Sequence, residues 1–355
     1  MNHNDSPASA PTPAGTDDQT VSAWEAWPTL LEHVIGLDEV AGLDQPAASR
    51  DVAAAPVIPV YHDEAGNDTG ETADTLSKAN RIAAWIRGHL PRHVHLLVGP
   101  TVSEVELAET HDPAYLRALQ DGDPQDRAES SGMSWDEQLW AAVVASTSSV
   151  RAAALAAWAG RTVAGATSSG LHHARYGEGA GYCTLNGLVV AARAVLAAGA
   201  RRVLVVDLEA HCGGGAASLI EDVEGVEQVD VSVFSFDSYR PRQDARLRVV
   251  GAAEYLSAVA EALASVEDPG SVDLVLYNAG MDPHEWAGGI TGITTEVLRQ
   301  RDRTVMEWAE AHDLPLAFVM AGGYRSRRWD LDDVAALHGV TFEEAVRSLE
   351  RRSAA

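Results

Sequence analysis

Short β-rich runs alternate with longer helical runs from about residue 57 to the end of this 355-residue chain. VIPVY precedes LSKANRIAAWIRGHL, NGLVVAARAVLAAGA precedes RRVLVVD, and VDLVLYN and PLAFVMA enclose TEVLRQRDRTVMEWAEAH. Alternation of this kind is typical of a parallel sheet with helices on both faces. We therefore predict a single α/β domain over residues 57–355, a three-layer αβα arrangement with a mostly parallel central sheet.

The two ends of the chain depart from this alternation. The composition of residues 1–56 predicts a disordered tail, which contains one short amphipathic helix, WEAWPTLLEHVIGLDEVAGL. The tail has neither the basic start nor the apolar stretch of a secretory signal. At the other end, Thr341 and Glu344 have the spacing of a capping box, which predicts that the final helix begins there, ahead of AVRSL.

Charge and cysteine content narrow the function classes. The formal net charge is -26, with 52 acidic against 26 basic residues, which argues against nucleic acid because phosphate binding needs clustered Lys and Arg. The electrostatic field of this negative charge favours a cationic substrate. Cys183 and Cys212 are too few for a disulfide framework, and no apolar run has the length of a membrane span. We expect a soluble cytoplasmic protein with no membrane partner, and the sequence leaves a homo-oligomer open.

Chemically active side chains follow four of the predicted strands. The carboxyl ends of neighbouring parallel strands meet at one edge of a sheet, where ligands bind. If the chain stays extended past Val206, strict alternation also turns three side chains of DLEAHCGGG to one side. The residues are Asp207, Glu209 and His211 in that segment, His172 and His173 in SSGLHHARYGEGAGYCTLN, Asp282 in YNAGMDPHE and Tyr324 in MAGGYRSR.

This set has the composition of a catalytic metal site. A carboxylate and an imidazole from DLEAHCGGG, with the carboxylate of Asp282, make three ligands and leave one position open for water, as at a catalytic zinc. The paired histidines would accept and return a proton, and the Tyr324 hydroxyl would polarise a carbonyl. The predicted reaction class is hydrolysis of an amide.

Each of these residues also has a purely structural interpretation. A lone histidine is more often a hydrogen-bonded structural residue than a ligand, and glycines after a strand commonly serve only the turn. Asp207 could cap the helix expected near Ala216, and Tyr324 could be a surface aromatic. The recurrence of such residues at successive strand ends favours the metal site over these interpretations.

The motifs resemble the histone deacetylase family of the arginase/deacetylase fold, especially its bacterial members that act on acetylated amines. The likeness runs from about Val57 to the last helix. It rests on THDPAYLRAL, on the His-His pair followed by GYCTLN, on D-x-E-x-H-C-G-G-G, on AGMDPH and on GGY, found in this order along the chain. The resemblance implies a zinc-dependent deacetylase, with Fe²⁺ as the other candidate metal.

The resemblance also implies a role for each motif residue. Glu209, His211 and Asp282 would be the metal ligands. His172 and His173 would be the acid/base pair, with Asp207 hydrogen-bonded to His172. Tyr324 would supply the hydroxyl that polarises the carbonyl, and Gly181 and Tyr182 would line a tunnel for the acylated chain. A monovalent cation, K⁺, would lie near the metal, held by the segment around Asp207 and by Ser235.

Three features depart from the family pattern. Glu209 stands where the family has aspartate, and its extra methylene changes the metal geometry unless the backbone compensates. Cys212 and Gly214 stand where the family has a second histidine and an Asp or Asn, so His173 is a weaker base or has another partner. HDEAGNDTGETADTLSK lacks the usual HPE, which predicts a rebuilt mouth of the site.

The leading prediction is a zinc-dependent amidohydrolase that removes an acyl group, acetyl foremost, from an amine of a small molecule. The alternative, motivated by Glu209 and Gly214, is a deacetylase-like protein that binds a ligand or partner with little hydrolysis. A ureohydrolase of the arginase type is disfavoured because there is only one D-x-E-x-H segment and AGMDPH supplies a single carboxylate. Cys183 or Cys212 as a nucleophile beside a histidine, or as a metal ligand, also stays open.

Overall fold

A single eight-stranded sheet organises the part of the chain that the computed structural model describes, residues 57–65, 74–168 and 171–354. The strands are β1 (Ile58–Tyr61), β2 (Val94–Leu97), β3 (Val163–Ala166), β4 (Val203–Asp207), β5 (Val226–Ser232), β6 (Ala245–Val249), β7 (Leu274–Asn278) and β8 (Leu316–Val319). They lie in the order β2-β1-β3-β8-β7-β4-β5-β6, and neighbouring strands run parallel throughout.

Helices connect these strands and cover the sheet. They are α1 (Asp74–His89), α2 (Glu104–Ala108), α3 (Pro113–Asp121), α4 (Gln125–Ala128), α5 (Leu139–Gly160), α6 (Gly187–Ala197), α7 (Gly214–Ile220), α8 (Tyr255–Ala264), α9 (Thr295–Ala311) and α10 (Leu331–Ala354). A short 3₁₀ turn at Pro269–Ser271 precedes β7. The predicted three-layer αβα arrangement is confirmed.

The core lies on both faces of the sheet. Alternate residues of β4 enter opposite clusters: Leu204 and Val206 pack with residues of α8, α9 and α10, whereas Val203 and Val205 pack with residues of α5, α6 and α7. This two-sided burial explains why the central strands are continuous apolar runs and do not alternate with polar residues.

Helix α5 is long and apolar enough to span a bilayer by length and composition, so the expectation that no apolar run has this length was wrong. Within its most apolar window, 83% of the residues are buried inside the protein, and it packs against β1, β3 and β8. A core helix has the same composition, because it is apolar on nearly all sides.

Other details of the predicted elements also differ from the structure. The final helix begins at Leu331, and the supposed capping residues lie in its buried middle, where the Thr341 hydroxyl donates to Asp302 Oδ2 at 2.7 Å. Glu344 there pairs with Arg299 and other arginines. The sequence interpretation did not identify β6 or α4. The predicted N-terminal tail and its helix lie outside the described residues.

Candidate active site

Five neighbouring strands, in the order β3-β8-β7-β4-β5, bring the predicted site residues to one edge of the sheet. Each strand is followed by a segment that carries site residues, as the carboxyl ends of parallel strands predict. These are His172 and His173 after β3, Tyr324 after β8, Asp282 after β7, Asp207, Glu209 and His211 at and beyond the end of β4, and Phe236 and Asp237 after β5.

Strand β4 continues past Val206 only as far as Asp207, so the extended chain that the predicted alternation needed ends before Glu209 and His211. The residues that follow form bends, and the convergence of Asp207, Glu209 and His211 does not come from alternation. It comes from partners on neighbouring segments: the Asp207 and Glu209 carboxylates both reach His172, and His211 faces Asp282.

His172 lies between two buried carboxylates. Its Nδ1 is 2.7 Å from Asp207 Oδ2, and its Nε2 is 2.6 Å from Glu209 Oε1. Burial disfavours the charged ring, but the charges of Glu209 and Asp207 outweigh burial and raise the pKa of His172 well above its ordinary value. Asp207 Oδ1 accepts a hydrogen bond from Asn278 Nδ2 at 2.8 Å, so this carboxylate is not a helix cap.

His173 has a different partner. Its Nδ1 is 2.9 Å from Asp237 Oδ2, and its Nε2 is 3.1 Å from His172 Nε2. Burial and the charge of His172 lower the pKa of His173. Both outcomes predicted for this histidine therefore occur, since Asp237 supplies another partner and the lowered pKa makes the ring a weaker base.

The three predicted metal ligands lie together, with the two carboxylates close to one ring nitrogen of His211. His211 Nδ1 lies 3.3 Å from Glu209 Oε1 and 3.1 Å from Asp282 Oδ2. Both carboxylates are held by backbone amides, since Gly322 N–H donates to Glu209 Oε2 at 3.2 Å and Ala210 N–H donates to Asp282 Oδ1 at 3.0 Å. Two buried carboxylates and an imidazole suit a zinc or ferrous ion, so the residues present fit the implied metal.

The ligand atoms of this cluster lie close together, and their charges shift one another's pKa values. His173, Glu209 and His211 each offer a ligand atom within 4.8 Å of the others, as do His172, His173 and Cys183. Although burial disfavours the charged ring, hydrogen bonds to Asp282 and Glu209 and their charges raise the pKa of His211 to about 10. Burial, together with the like charge of Glu209, raises the pKa of Asp282. These shifts arise because two carboxylates lie close together, an arrangement that a bound cation would stabilise.

Glycines make room for the longer Glu209 side chain. A Cβ atom at Gly322 would lie 2.4 Å from Glu209 Oε2 and 2.3 Å from Asp282 Cγ, and one at Gly280 would lie 2.5 Å from Glu209 Cβ. The absence of side chains at Gly322 and Gly280 thus leaves room for Glu209, and Glu209 Oε1 lies within hydrogen-bonding distance of His172 Nε2.

Tyr324 stands at the same edge of the sheet. Its backbone N–H donates to Ala287 O at 2.9 Å. Burial, followed by the charges of Asp282 and Glu209, raises the pKa of Tyr324 well above its ordinary value, so the hydroxyl stays protonated and can donate a hydrogen bond. The Lys78 ammonium lies 5.6 Å from the centre of the Tyr324 ring and donates to the Ala321 carbonyl.

The mouth of the site is lined by aromatic rings. Tyr182 and Phe236 are both 51% exposed, and Phe236 meets the His173 ring edge-on with centroids 4.9 Å apart. Gly181 has φ +52° and lies so close to His173 that a Cβ atom would be 2.5 Å from that ring. Gly181 and Tyr182 thus lie beside the paired histidines. The predicted rebuilding of the HPE segment falls largely on residues 66–73, outside the described ranges.

The two cysteines are poor nucleophiles here. Burial raises the pKa of Cys183 to about 12 and that of Cys212 to about 11, so neither thiol ionises appreciably at neutral pH. Cys212 Sγ lies 3.3 Å from Phe234 O. Both observations disfavour the cysteine-nucleophile alternative.

Several buried polar residues near the site were not identified from the sequence. Asp230, at the end of β5, accepts from Gly213 N–H at 2.8 Å, and burial followed by the charge of Asp207 raises its pKa. Ser232 is buried beside it, whereas Ser235, named for the cation, lies three residues beyond the strand and accepts from Ser238 N–H through its carbonyl. The sequence signal for these residues was the presence of polar side chains within the strand segment VEQVDVS.

Comparison with known proteins identifies the family of the chain. The histone deacetylase domain family matches residues 74–338. An uncharacterized protein of Picosynechococcus sp. is 34% identical over 178 residues, 46% of this chain and 57% of that protein. Histone deacetylase 2 of Arabidopsis thaliana is 30% identical over 165 residues, 44% of this chain and 42% of that protein. The chain thus spans about half the length of the curated relatives it matches.

The fold has a solved counterpart. The crystal structure of the HDA15 HD domain matches with a TM-score of 0.66 and 18% identity, covering 82% of this chain and 90% of that one. Because the family match spans most of the chain, this protein belongs to the histone deacetylase family, with the arginase/deacetylase-like α/β fold.

Proposed function

We propose that this protein is a metal-dependent hydrolase that removes an acyl group, acetyl foremost, from an amine of a small molecule. The observation that carries the proposal is the convergence of Glu209, His211 and Asp282 beside the His172–His173 pair and Tyr324. Membership of the histone deacetylase family supports the reaction class.

Glu209, His211 and Asp282 would hold the metal, with zinc preferred and iron as the other candidate. When bound, the ion supplies Lewis acidity, which makes water a stronger acid and the amide carbonyl more electrophilic. We retain K⁺ near the segment around Asp207 as part of the proposal, with Ser235 as a predicted contact.

The protein residues would move protons and stabilise charge. The Nε2 atoms of His172 and His173, 3.1 Å apart, face the same space, so one can accept a proton from water while the other returns one to the leaving amine. The protonated Tyr324 hydroxyl would donate to the carbonyl oxygen as negative charge develops there.

The substrate is proposed to be a cationic amine that carries its acyl group past Tyr182 and Phe236. Both rings are half exposed at the mouth, and the net charge of -26 favours the approach of a cation. We also propose a cytoplasmic location, from the low cysteine count, and no nucleic-acid partner, from the excess of carboxylates.

One observation favours the alternative, a binding protein with little hydrolysis. Glu209 Oε1 lies 2.6 Å from His172 Nε2, so the carboxylate occupies a hydrogen-bonding position of a proposed acid/base nitrogen. Hydrolysis would require that nitrogen to be free, with the Glu209 carboxylate turned from His172 toward His211.

The two functions separate in an assay of amine release from N-acetylated diamines, with an acetyl-lysine peptide for comparison. Hydrolysis by the natural chain, loss of ~100-fold or more of kcat in Tyr324→Phe, and unchanged metal content would support the enzyme, because the hydroxyl acts on the transition state. Tyr176→Phe, an exposed tyrosine, is the matched control. A metal-loaded natural chain that binds these amines without cleaving them would support the alternative.

A further inference from the structure

We propose that Asp237 is a positioning residue that fixes the ring of His173 with its Nε2 toward the reacting atoms. The inference rests on the proposed function for its catalytic meaning, although the contact itself is structural. His172 and His173 each have a buried carboxylate on Nδ1, Asp207 at 2.7 Å for the first and Asp237 at 2.9 Å for the second. The two histidines therefore have similar supports, one at the end of β4 and the other in the segment that follows β5.

Asp237 is held on several sides. Its side chain is 7% exposed, and its Oδ1 forms an ion pair with the Arg175 guanidinium. Gly215 N–H donates to Oδ2 at 3.0 Å, the same oxygen that faces His173. The residue also adopts φ +56°, the left-handed region that asparagine and aspartate tolerate better than most residues. A carboxylate fixed in this way has little freedom to turn from the imidazole.

Glycine at position 214 makes this arrangement possible. A Cβ atom there would lie 2.2 Å from the Asp237 carbonyl oxygen and 2.5 Å from its Oδ1. A Cβ atom at Gly215 would lie 2.3 Å from the His173 carbonyl. Any side chain at 214 would therefore push the Asp237 loop away from His173.

The contact with Asp237 determines which ring nitrogen of His173 carries the hydrogen. Because a carboxylate oxygen accepts, Nδ1–H of His173 donates to Asp237, and the lone pair is left on Nε2. That Nε2 lies 3.1 Å from His172 Nε2 and 3.9 Å from Glu209 Oε1, inside the proposed site. Asp237 thus sets both the orientation and the tautomer of the ring, without itself touching a substrate.

The test compares Asp237→Gly and Asp237→Asn in the full chain. Glycine accepts the left-handed backbone, so the first variant removes the carboxylate with little strain. We expect kcat for an N-acetylated diamine to fall ~100-fold in Asp237→Gly, with KM and metal content within ~2-fold of the natural chain. Asp237→Asn keeps an acceptor oxygen and should recover part of kcat. Gly214→Ala should resemble Asp237→Gly.

Asp244→Gly is the matched control. Asp244 lies in the same connection before β6 and also pairs with an arginine, Arg242, at 3.0 Å. Its removal should leave kcat within ~2-fold of the natural value. Equal losses of kcat in Asp237→Gly and Asp244→Gly, or no loss in Asp237→Gly, would overturn the inference.

A spectroscopic readout separates this inference from the proposed function. Long-range ¹H–¹⁵N spectra of the histidine rings, assigned with His173→Asn, should show the Nδ1–H form of His173 in the natural chain and its loss in Asp237→Gly. A natural chain that hydrolyses no acylated amine but shows this change would defeat the proposed function and leave the positioning contact established. An unchanged His173 tautomer in Asp237→Gly would defeat the positioning role, whatever the activity.

Discussion

His172 and His173 are adjacent in the chain and both are buried, yet their surroundings give them opposite properties. Two carboxylates flank His172 and raise its pKa, whereas burial and the neighbouring charge of His172 lower the pKa of His173 despite its contact with Asp237. A one-residue step along the chain thus separates a ring that holds its proton from a ring that gives it up. Partner charge decides the difference, since burial acts on both in the same direction.

Replacing the carboxylate behind His172 should have the largest effect. Asp207 is fully buried and bonds both His172 and Asn278, so Asp207→Asn leaves buried groups mispaired. We expect the free energy of unfolding to fall by about 3 kcal/mol and kcat by ~1000-fold. Denaturant titration and steady-state kinetics measure both. Asp237→Asn, on the less buried side, should lose less stability; an equal loss would remove the contrast.

His111 is a third buried histidine, and it differs from His172 and His173 because both of its ring nitrogens contact backbone groups. His111 Nδ1 is 2.9 Å from Arg175 O, and its Nε2 accepts from Asn186 N–H at 2.9 Å, which ties together the loop that carries the histidine pair. Burial lowers its pKa to about 4. The unfolded chain takes up this proton near its ordinary pKa, whereas the folded chain does not, so the His111 contribution to stability is lost as pH falls.

Between pH 7 and pH 5, this linkage should lower the free energy of unfolding by about 2 kcal/mol. The measurement is denaturant titration at both pH values for the natural chain and for His111→Gln. The variant should be less stable at pH 7 but show a shallower decline. Parallel declines in the two proteins would mean that His111 does not titrate in this way.

The metal ligand next to His172 should respond more modestly. Glu209 Oε1 contacts His172 and its Oε2 accepts from Gly322 N–H, so the shorter side chain of Glu209→Asp should withdraw the carboxylate from both His172 and the metal position. We expect ~10-fold weaker retention of metal against a competing chelator and a similar fall in kcat/KM. Tighter metal binding in the variant would instead identify Glu209 as a ligand poorly matched to its site.

The smallest effect is expected at the mouth beside His173. Phe236 is half exposed, so Phe236→Ala should raise KM for an N-acetylated diamine about 3-fold, with kcat and unfolding nearly unchanged. Tyr176→Ala, another exposed aromatic, serves as the control and should leave KM unchanged. A large fall in kcat in Phe236→Ala would mean that the ring also fixes His173.

The same contrast separates what could be predicted from the sequence from what could not. Seven of the eight strands, the parallel character of the sheet and the His172 side of the site follow from apolar runs and from motifs in which ligand-type residues lie close together. The support of His173 comes from Asp237, 64 residues away, in a polar segment without periodicity. A single aspartate there carries no local signal, because only tertiary packing decides which ring it meets.

Tertiary packing also explains the errors in the predicted elements. Thr341 and Glu344 have the spacing of a cap, but their side chains bond residues of α9, so the helix passes through them. Strand β4 ends at Asp207, whose side chain contacts Asn278 and His172, and these partners lie far away in the sequence. Local patterns give the type of an element more securely than its ends.

The most direct test of the proposed metal site is the metal content of the purified, untagged protein by elemental mass spectrometry, for the natural chain and for His211→Ala. We expect close to one zinc or iron per natural chain and its loss in the variant, since His211 Nδ1 faces both carboxylates. A natural chain that binds no metal after zinc is supplied would contradict the account and favour a protein that uses this fold for binding.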